Sequence, residues 1–301
     1  MMRVSWKGIW LRLLASALFA GMALCVKKAA TEAPVGQIVF WRSSVALIPI
    51  VFYLVYLRVF PLALKTKNWR GHLERSAYGC LAMFFSFISL AYLPLTLASI
   101  FGFLAPMLAI PMAALYLGEH PGGHLIAMVL MGFFGVLITL YPMLESPEMS
   151  QATLLGSAAG LIMAIVTALA KVKIKQLTQT EHPGSIAFYF ALTCSGVGGA
   201  TVLAGDVTTS WQWAELTTQS VVWLLGAGFL GGLAHVIMTE AVARASVSTL
   251  AVFEYSAIFW ALSLDFIFFG DVPGLLSLLG VSIIITAGLN IIRRQNTRMN
   301  Q

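Results

Sequence analysis

Six ionisable side chains stand inside apolar stretches of this sequence: Arg42, His235, Glu240, Arg244, Glu254 and Asp265. A charge at the middle of a membrane-spanning helix costs about 2.5 to 3.5 kcal/mol on insertion scales, so each needs a partner or a task. Glu254 and Asp265 are 11 residues apart, about three helical turns. A continuous helix therefore carries both on one face, with Ile258 and Ala261 between them. That face either binds a substrate amine or carries a proton, or else both acids are structural ion-pair members. Arg42 either pairs with Asp265, which lies at a similar depth, or offers its planar fork to an anionic group of a substrate. Glu240 and Arg244 have the order and spacing of an intrahelical salt bridge. His235 reads as a packing residue or as a pore-lining one.

Small and aromatic residues suggest what surrounds these charges. Gly102, Pro106, Ala109 and Ala113 share a face of their own stretch; the small ones leave room, and the proline frees a backbone carbonyl. Set opposite the Glu254–Asp265 face, this surface is expected to bound a central cavity. Tyr78, Phe85 and Tyr92 recur at heptad spacing with Ser89 on the same stripe, either for packing and lipid contact or as a cavity wall. Trp41, Tyr255 and Trp260 could join that wall. The candidate substrate-binding residues are thus Arg42, Tyr78, Phe85, Gly102, Pro106, Glu254, Ile258, Trp260 and Asp265, with Glu254 and Asp265 the candidates for proton coupling. His120 and His124 are separated by Pro121, Gly122 and Gly123, which break a helix there, so no metal site and no cofactor are expected.

The elements that must hold these residues are membrane spans. With 59% hydrophobic and 10% charged residues among 301, the chain cannot cover a soluble globule with polar surface. About 20 apolar residues of helix cross the hydrocarbon, and ten such runs are read: Gly8–Ala29, Val35–Leu57, His72–Tyr92, Leu97–Leu117, Gly123–Tyr141, Ala152–Gln176, Ser185–Ala204, Val221–Ala243, Ser248–Phe269 and Leu275–Ile292. The first run contains Arg12 and lacks a convincing cleavage site, so it reads as a retained span rather than a leader. The loops are too short for a separate catalytic head. Cys25, Cys80 and Cys194 sit inside apolar runs and read as small packing residues.

Basic residues set the expected orientation. With both termini in the cytoplasm, 15 of the 18 Lys and Arg fall inside; only Lys27 and Lys28 fall outside, and Arg42 is within a span. The net charge of +6 thus follows from topology and implies no nucleic-acid partner.

The chain also echoes itself. "LGEHPG" at 117–122 returns as "FGDVPG" 152 positions later, and "LLASA" at 13–17 returns as "LLGSA" at an offset of 141. The two matches in one order predict five helices repeated, residues 1–146 and 147–301. Five is odd, so the second copy enters the membrane from the opposite side. The expected fold class is all-α, a polytopic membrane protein of ten transmembrane helices in two inverted repeats, an architecture that lets two halves rock about a midplane site.

Ten spans in a five-plus-five arrangement, "FWR" at 40–42 and "LAPMLAIPMAALYLGE" through the fourth span resemble the EamA-type branch of the drug/metabolite transporter superfamily over nearly the whole chain. The second copy departs from the pattern: Ala191, Ile258 and Ser263 stand where the first has Arg42, Pro106 and Pro111. The resemblance implies a secondary transporter of the bacterial inner membrane that exports amino acids or related metabolites by alternating access. The alternative within the family is an importer of a vitamin or nucleoside-like metabolite, such as riboflavin or S-adenosylmethionine. An intramembrane lipid-modifying enzyme would need nucleophile, base and metal groups at one depth, and the scattered acids disfavour it. The expected partners are a small-molecule substrate and the lipid bilayer, with the protein a monomer or homodimer.

Overall fold

The computed structural model describes residues 6–93, 95–141, 151–204, 213–270 and 274–299. Its helices are α1 (Trp6–Ala29), α2 (Val35–Tyr56), α3 (Trp69–Tyr92), α4 (Leu95–Leu117), α5 (Gly123–Leu140), α6 (Gln151–Leu177), α7 (Pro183–Ala204), α8 (Thr218–Arg244), α9 (Val247–Glu254), α10 (Ser256–Phe269) and α11 (Leu275–Met299). Among the described residues nine segments are long and apolar enough to cross a membrane, with α9 and α10 together forming one of them. The remaining helix, α3, has the length at 24 residues, but Arg70, Glu74 and Arg75 make its first two turns polar.

Local chemistry fixes many of the helix ends. Asn68 Oδ1 accepts from Gly71 N at 3.1 Å to start α3, Thr217 Oγ1 accepts from Ser220 N at 3.3 Å to start α8, and Ser246 Oγ accepts from Thr249 N at 3.2 Å to start α9. Each satisfies an orphan donor of the first turn. The doubled phrase now has a cause: Gly118 and Gly270 have φ of +63° and +74°, the left-handed conformation that stops a helix and that glycine adopts without strain.

Two sequence expectations need correction. The run Ser248–Phe269 is not one continuous helix. It breaks at Tyr255, whose N–H bonds Val252 O at 3.4 Å while Ile258 N bonds Tyr255 O at 3.2 Å; both are three-residue steps, tighter than an α-turn. The Tyr255 side chain is fully buried and lies against Gly132 of α5, where a Cβ would come within 2.5 Å of the ring. Glu254 and Asp265 therefore belong to successive helices, and the single-face argument does not carry across the break. Second, the offset of 141 is not the register of the first helices. The N-caps Asn68 and Thr217 are 149 positions apart, while Leu95 and Val247, Leu117 and Phe269, and Gly123 and Leu275 are each 152 apart. At 149, "TEAP" (31–34) falls on "TEHP" (180–183) at corresponding turns; the other match was chance between apolar strings.

The helices interleave. α1 packs chiefly on α8, α3 on α6, α2 on α7 and α8, α5 on α11, and α4 on α6. Small residues permit the close approaches, as expected where lipid supplies no hydrophobic drive between helices. Gly228 and Gly232 of α8 meet Val45 and the Ala46 carbonyl of α2, and Gly156 and Gly160 of α6 meet Leu93 and Phe101. Both GxxxG pairs serve contacts within the chain.

Candidate functional site

Buried charge gathers in two places. The first lies among α2, α3, α7 and α8. Arg42, Ser43 and Ala46 of α2, Phe190 and Ala191 of α7, and Gly231 and His235 of α8 line a crevice of about 10 Å³, room for about one water. Phe190 stands between Arg75 and His235: the Arg75 guanidinium carbon lies 3.8 Å over its ring, and the His235 ring packs against it with centroids 4.9 Å apart. Phe19 of α1 closes the other side of His235 edge-on, at 5.1 Å and 86°. Arg42 Nη1 reaches the Met22 thioether at 3.9 Å. The Cys80 and Cys194 thiols, one from α3 and one from α7, meet at 3.5 Å nearby.

The second place joins α1, α6 and α9. Glu254, at the end of α9, is bound by Lys171 Nζ of α6 and lies 3.5 Å from Arg12 Nη2 of α1. All three side chains are nearly buried. Beside it, Lys175 donates to the Val242 and Ala245 carbonyls at 2.7 and 2.9 Å, closing the end of α8. Glu119, just past α4, accepts from Val247 N at 2.9 Å, Ser248 N at 3.0 Å and Ser248 Oγ at 2.6 Å. The N-terminus of α9 is thereby capped by a carboxylate from the turn after α4, where the helix dipole favours negative charge.

Two further carboxylates anchor helix starts at equivalent turns. Glu32, between α1 and α2, accepts from Thr217 Oγ1 at 2.9 Å and Thr217 N at 3.2 Å. Hydrogen bonds from Ser220 and then Thr217 hold its carboxyl below the usual carboxylate range. Glu181, between α6 and α7, accepts from Thr66 Oγ1 at 2.8 Å and lies 3.5 Å from His72 Nε2 at the start of α3.

Of the sequence candidates, the structure brings Arg42 to His235. It sets Ile258 and Pro106 in buried positions, Ile258 within the apolar core beside Tyr255. Gly102 faces open space, with no atom within 4 Å of where a Cβ would stand. Tyr78, Phe85 and Trp260 are half-buried, and Trp260 Nε1 has no hydrogen-bond partner among the described residues. Glu240 and Arg244 form the expected pair, and the Tyr53 hydroxyl donates to Glu240. The Asp265 side chain lies outside the described residues, and so does any pairing with Arg42. Sequence reading missed Arg12, Arg75 and Lys171 as buried charges, because it counted them only toward orientation. The signal was available in α6: Lys171 and Lys175 share one helical face that is otherwise apolar, while Lys173 turns away to Glu74.

Helices threaded through one another, with charges buried between the spans, define a polytopic membrane protein. The chain belongs to the EamA-like transporter family, which residues 6–141 match, within the drug/metabolite transporter superfamily. It is 30% identical to the pseudopaline exporter CntI of Pseudomonas aeruginosa (strain UCBPP-PA14) over 95% of this chain and 96% of that one. It is 27% identical to a riboflavin transporter of Rhizobium johnstonii over 88% and 83%, and 26% identical to an S-adenosylmethionine uptake transporter of Rickettsia bellii over 87% and 84%. A solved crystal structure superposes with a TM-score of 0.79 over 93% of this chain and 94% of the other at 16% identity, a likeness of fold.

Proposed function

We propose that this protein exports a small organic metabolite, an amino acid or a related compound, from the cytoplasm by alternating access. In this reading residues 1–146 and 147–301 are inverted repeats in the bacterial inner membrane, with both termini cytoplasmic. The observation that carries it is the packing: exchanging each span for the one five spans later turns α1 on α8 into α6 on α3 and leaves α2 on α7 and α5 on α11 unchanged. Opposed halves related in this way can rock about a site that neither half owns. The crevice at Arg42 and His235, between α2, α7 and α8, sits among such exchangeable pairs. The similarity to the pseudopaline exporter over nearly the whole chain favours efflux, whereas the riboflavin and S-adenosylmethionine relatives favour uptake of a larger metabolite as the second reading.

Counterflow tests the proposal. Proteoliposomes preloaded with unlabelled amino acids, riboflavin or S-adenosylmethionine are expected to accumulate external label for one class well above protein-free vesicles. Accumulation of riboflavin or S-adenosylmethionine alone selects the second reading, and no accumulation of any class overturns the transport site proposed here.

A further inference from the structure

The two guanidiniums beside Phe190 have no counter-charge among the described residues. Arg75 is 5% exposed, stacked on the Phe190 ring, and its Nε is buried without a hydrogen-bond partner. Arg42 enters the crevice from α2, and no described carboxylate comes within salt-bridge distance of either arginine. Acids elsewhere take up Arg12, Lys171, Lys173 and Arg244. Arg42 and Phe190 line the same crevice and Arg75 lies over the Phe190 ring, so the two cations share one neighbourhood. Arginine does not shed its proton, so the buried Arg75 guanidinium and the half-buried Arg42 one keep their desolvation cost with no described carboxylate to offset it. His235, on the crevice wall, also has a buried Nδ1 without a partner. Arg42 and His235 on the crevice wall, with Arg75 lying over the Phe190 ring that forms part of the same wall, set positive and polar groups about one small opening, the mould of an anion.

We infer that Arg42 and Arg75 form an anion subsite and that the transported solute bears a carboxylate; this rests on the transport reading above and names its substrate class. Arg42 offers the planar, bidentate fork that matches a carboxylate. Arg75, held flat by Phe190, supplies the second positive charge, and His235 completes the hydrogen bonds. The crevice at about 10 Å³ has room for about one water, so a solute enters only when the helices that line it, α2, α7 and α8, part.

Matched pairs test this on the purified full-length protein: L-histidine against histamine, L-phenylalanine against 2-phenylethylamine, and L-methionine against 3-(methylthio)propylamine. At least one acid is expected to raise the unfolding temperature while its amine does not, and Arg42→Gln or Arg75→Gln weakens the apparent affinity at least tenfold, with partial rescue by lysine. Without solute, Arg42→Gln is expected to unfold at the same or a higher temperature than wild type, since it removes a partly desolvated charge that no described carboxylate offsets. Should Arg75→Gln fail to fold, Arg42→Gln and Arg75→Lys carry the test. Equal shifts from acid and amine, shifts that survive both glutamine variants, no shift from any acid, or a clear loss of stability in Arg42→Gln overturns the subsite. If counterflow of the same probes persists in these variants, the transport reading stands while the carboxylate assignment falls.

Discussion

Glu254, a candidate for binding an amine or a proton in the sequence, is held between two cations in the fold. Its two cations come from α1 and α6, and removing its charge leaves Arg12 and Lys171 buried side by side. Breaking a buried pair from one side costs about 3 to 5 kcal/mol, so Glu254→Gln is expected to lower the unfolding temperature sharply. Glu254→Gln with Lys171→Met, which also removes the stranded cation, should recover part of that loss; thermal unfolding in detergent checks both. If transport proves pH-dependent and a folded Glu254→Gln protein keeps that dependence, Glu254 is not the proton carrier. Glu32 gives a prediction of pH. Its folded pKa is depressed from the ordinary 4.5, so its contribution is present above that value and fades as pH falls through the lower folded one. Glu32→Gln should therefore lose stability at neutral pH and flatten the fall below pH 4.5, as followed by unfolding across pH. The positions of these charges could be read in the sequence; their pairings could not, because they join residues more than eighty positions apart.

Among elements, glycine decides how closely α2 and α8 approach. A Cβ on Gly232 would stand 2.5 Å from the Ala46 carbonyl oxygen and 2.7 Å from Pro49, and neither backbone nor ring can yield cheaply. Gly232→Ala is expected to cost about 1 to 3 kcal/mol through overpacking, seen as a lower unfolding temperature. Gly102→Ala, with open space around it, should fold normally and even gain from helix propensity, so any change in its transport reports on the space beside it. The helix stops at Gly118 and Gly270 were legible in the doubled phrase, whereas the caps Asn68 and Thr217 went unused and the apolar runs began at His72 and Val221, inside α3 and α8. The break at Tyr255 was not legible. α4 stays continuous through Pro106 and Pro111, while a span without proline divides, because its cause is a ring seated at Gly132 on another helix. Tertiary contact overrode the local pattern, and a single-segment reading has no access to it.

The plan of the whole molecule was legible in the doubled "LGEHPG" and "FGDVPG", since a turn repeated with its glycine and acid marks equivalent helix ends. Its register was less so, because apolar strings match each other by chance; "TEAP" and "TEHP", whose glutamates anchor α8 and α3, were the sounder pair. That arrangement also bears on how the protein could be made in pieces. α1 finds its main neighbour in α8, α3 in α6 and α5 in α11, so each five-span segment keeps most of its surface for its sibling. Two separately encoded fragments, 1–146 and 147–301, should therefore co-purify through a tag on either one when expressed together, and each alone should be cleared by membrane proteases. A gene cut at its midpoint would then still yield a working carrier, assembled as a heterodimer from parts that are each incomplete.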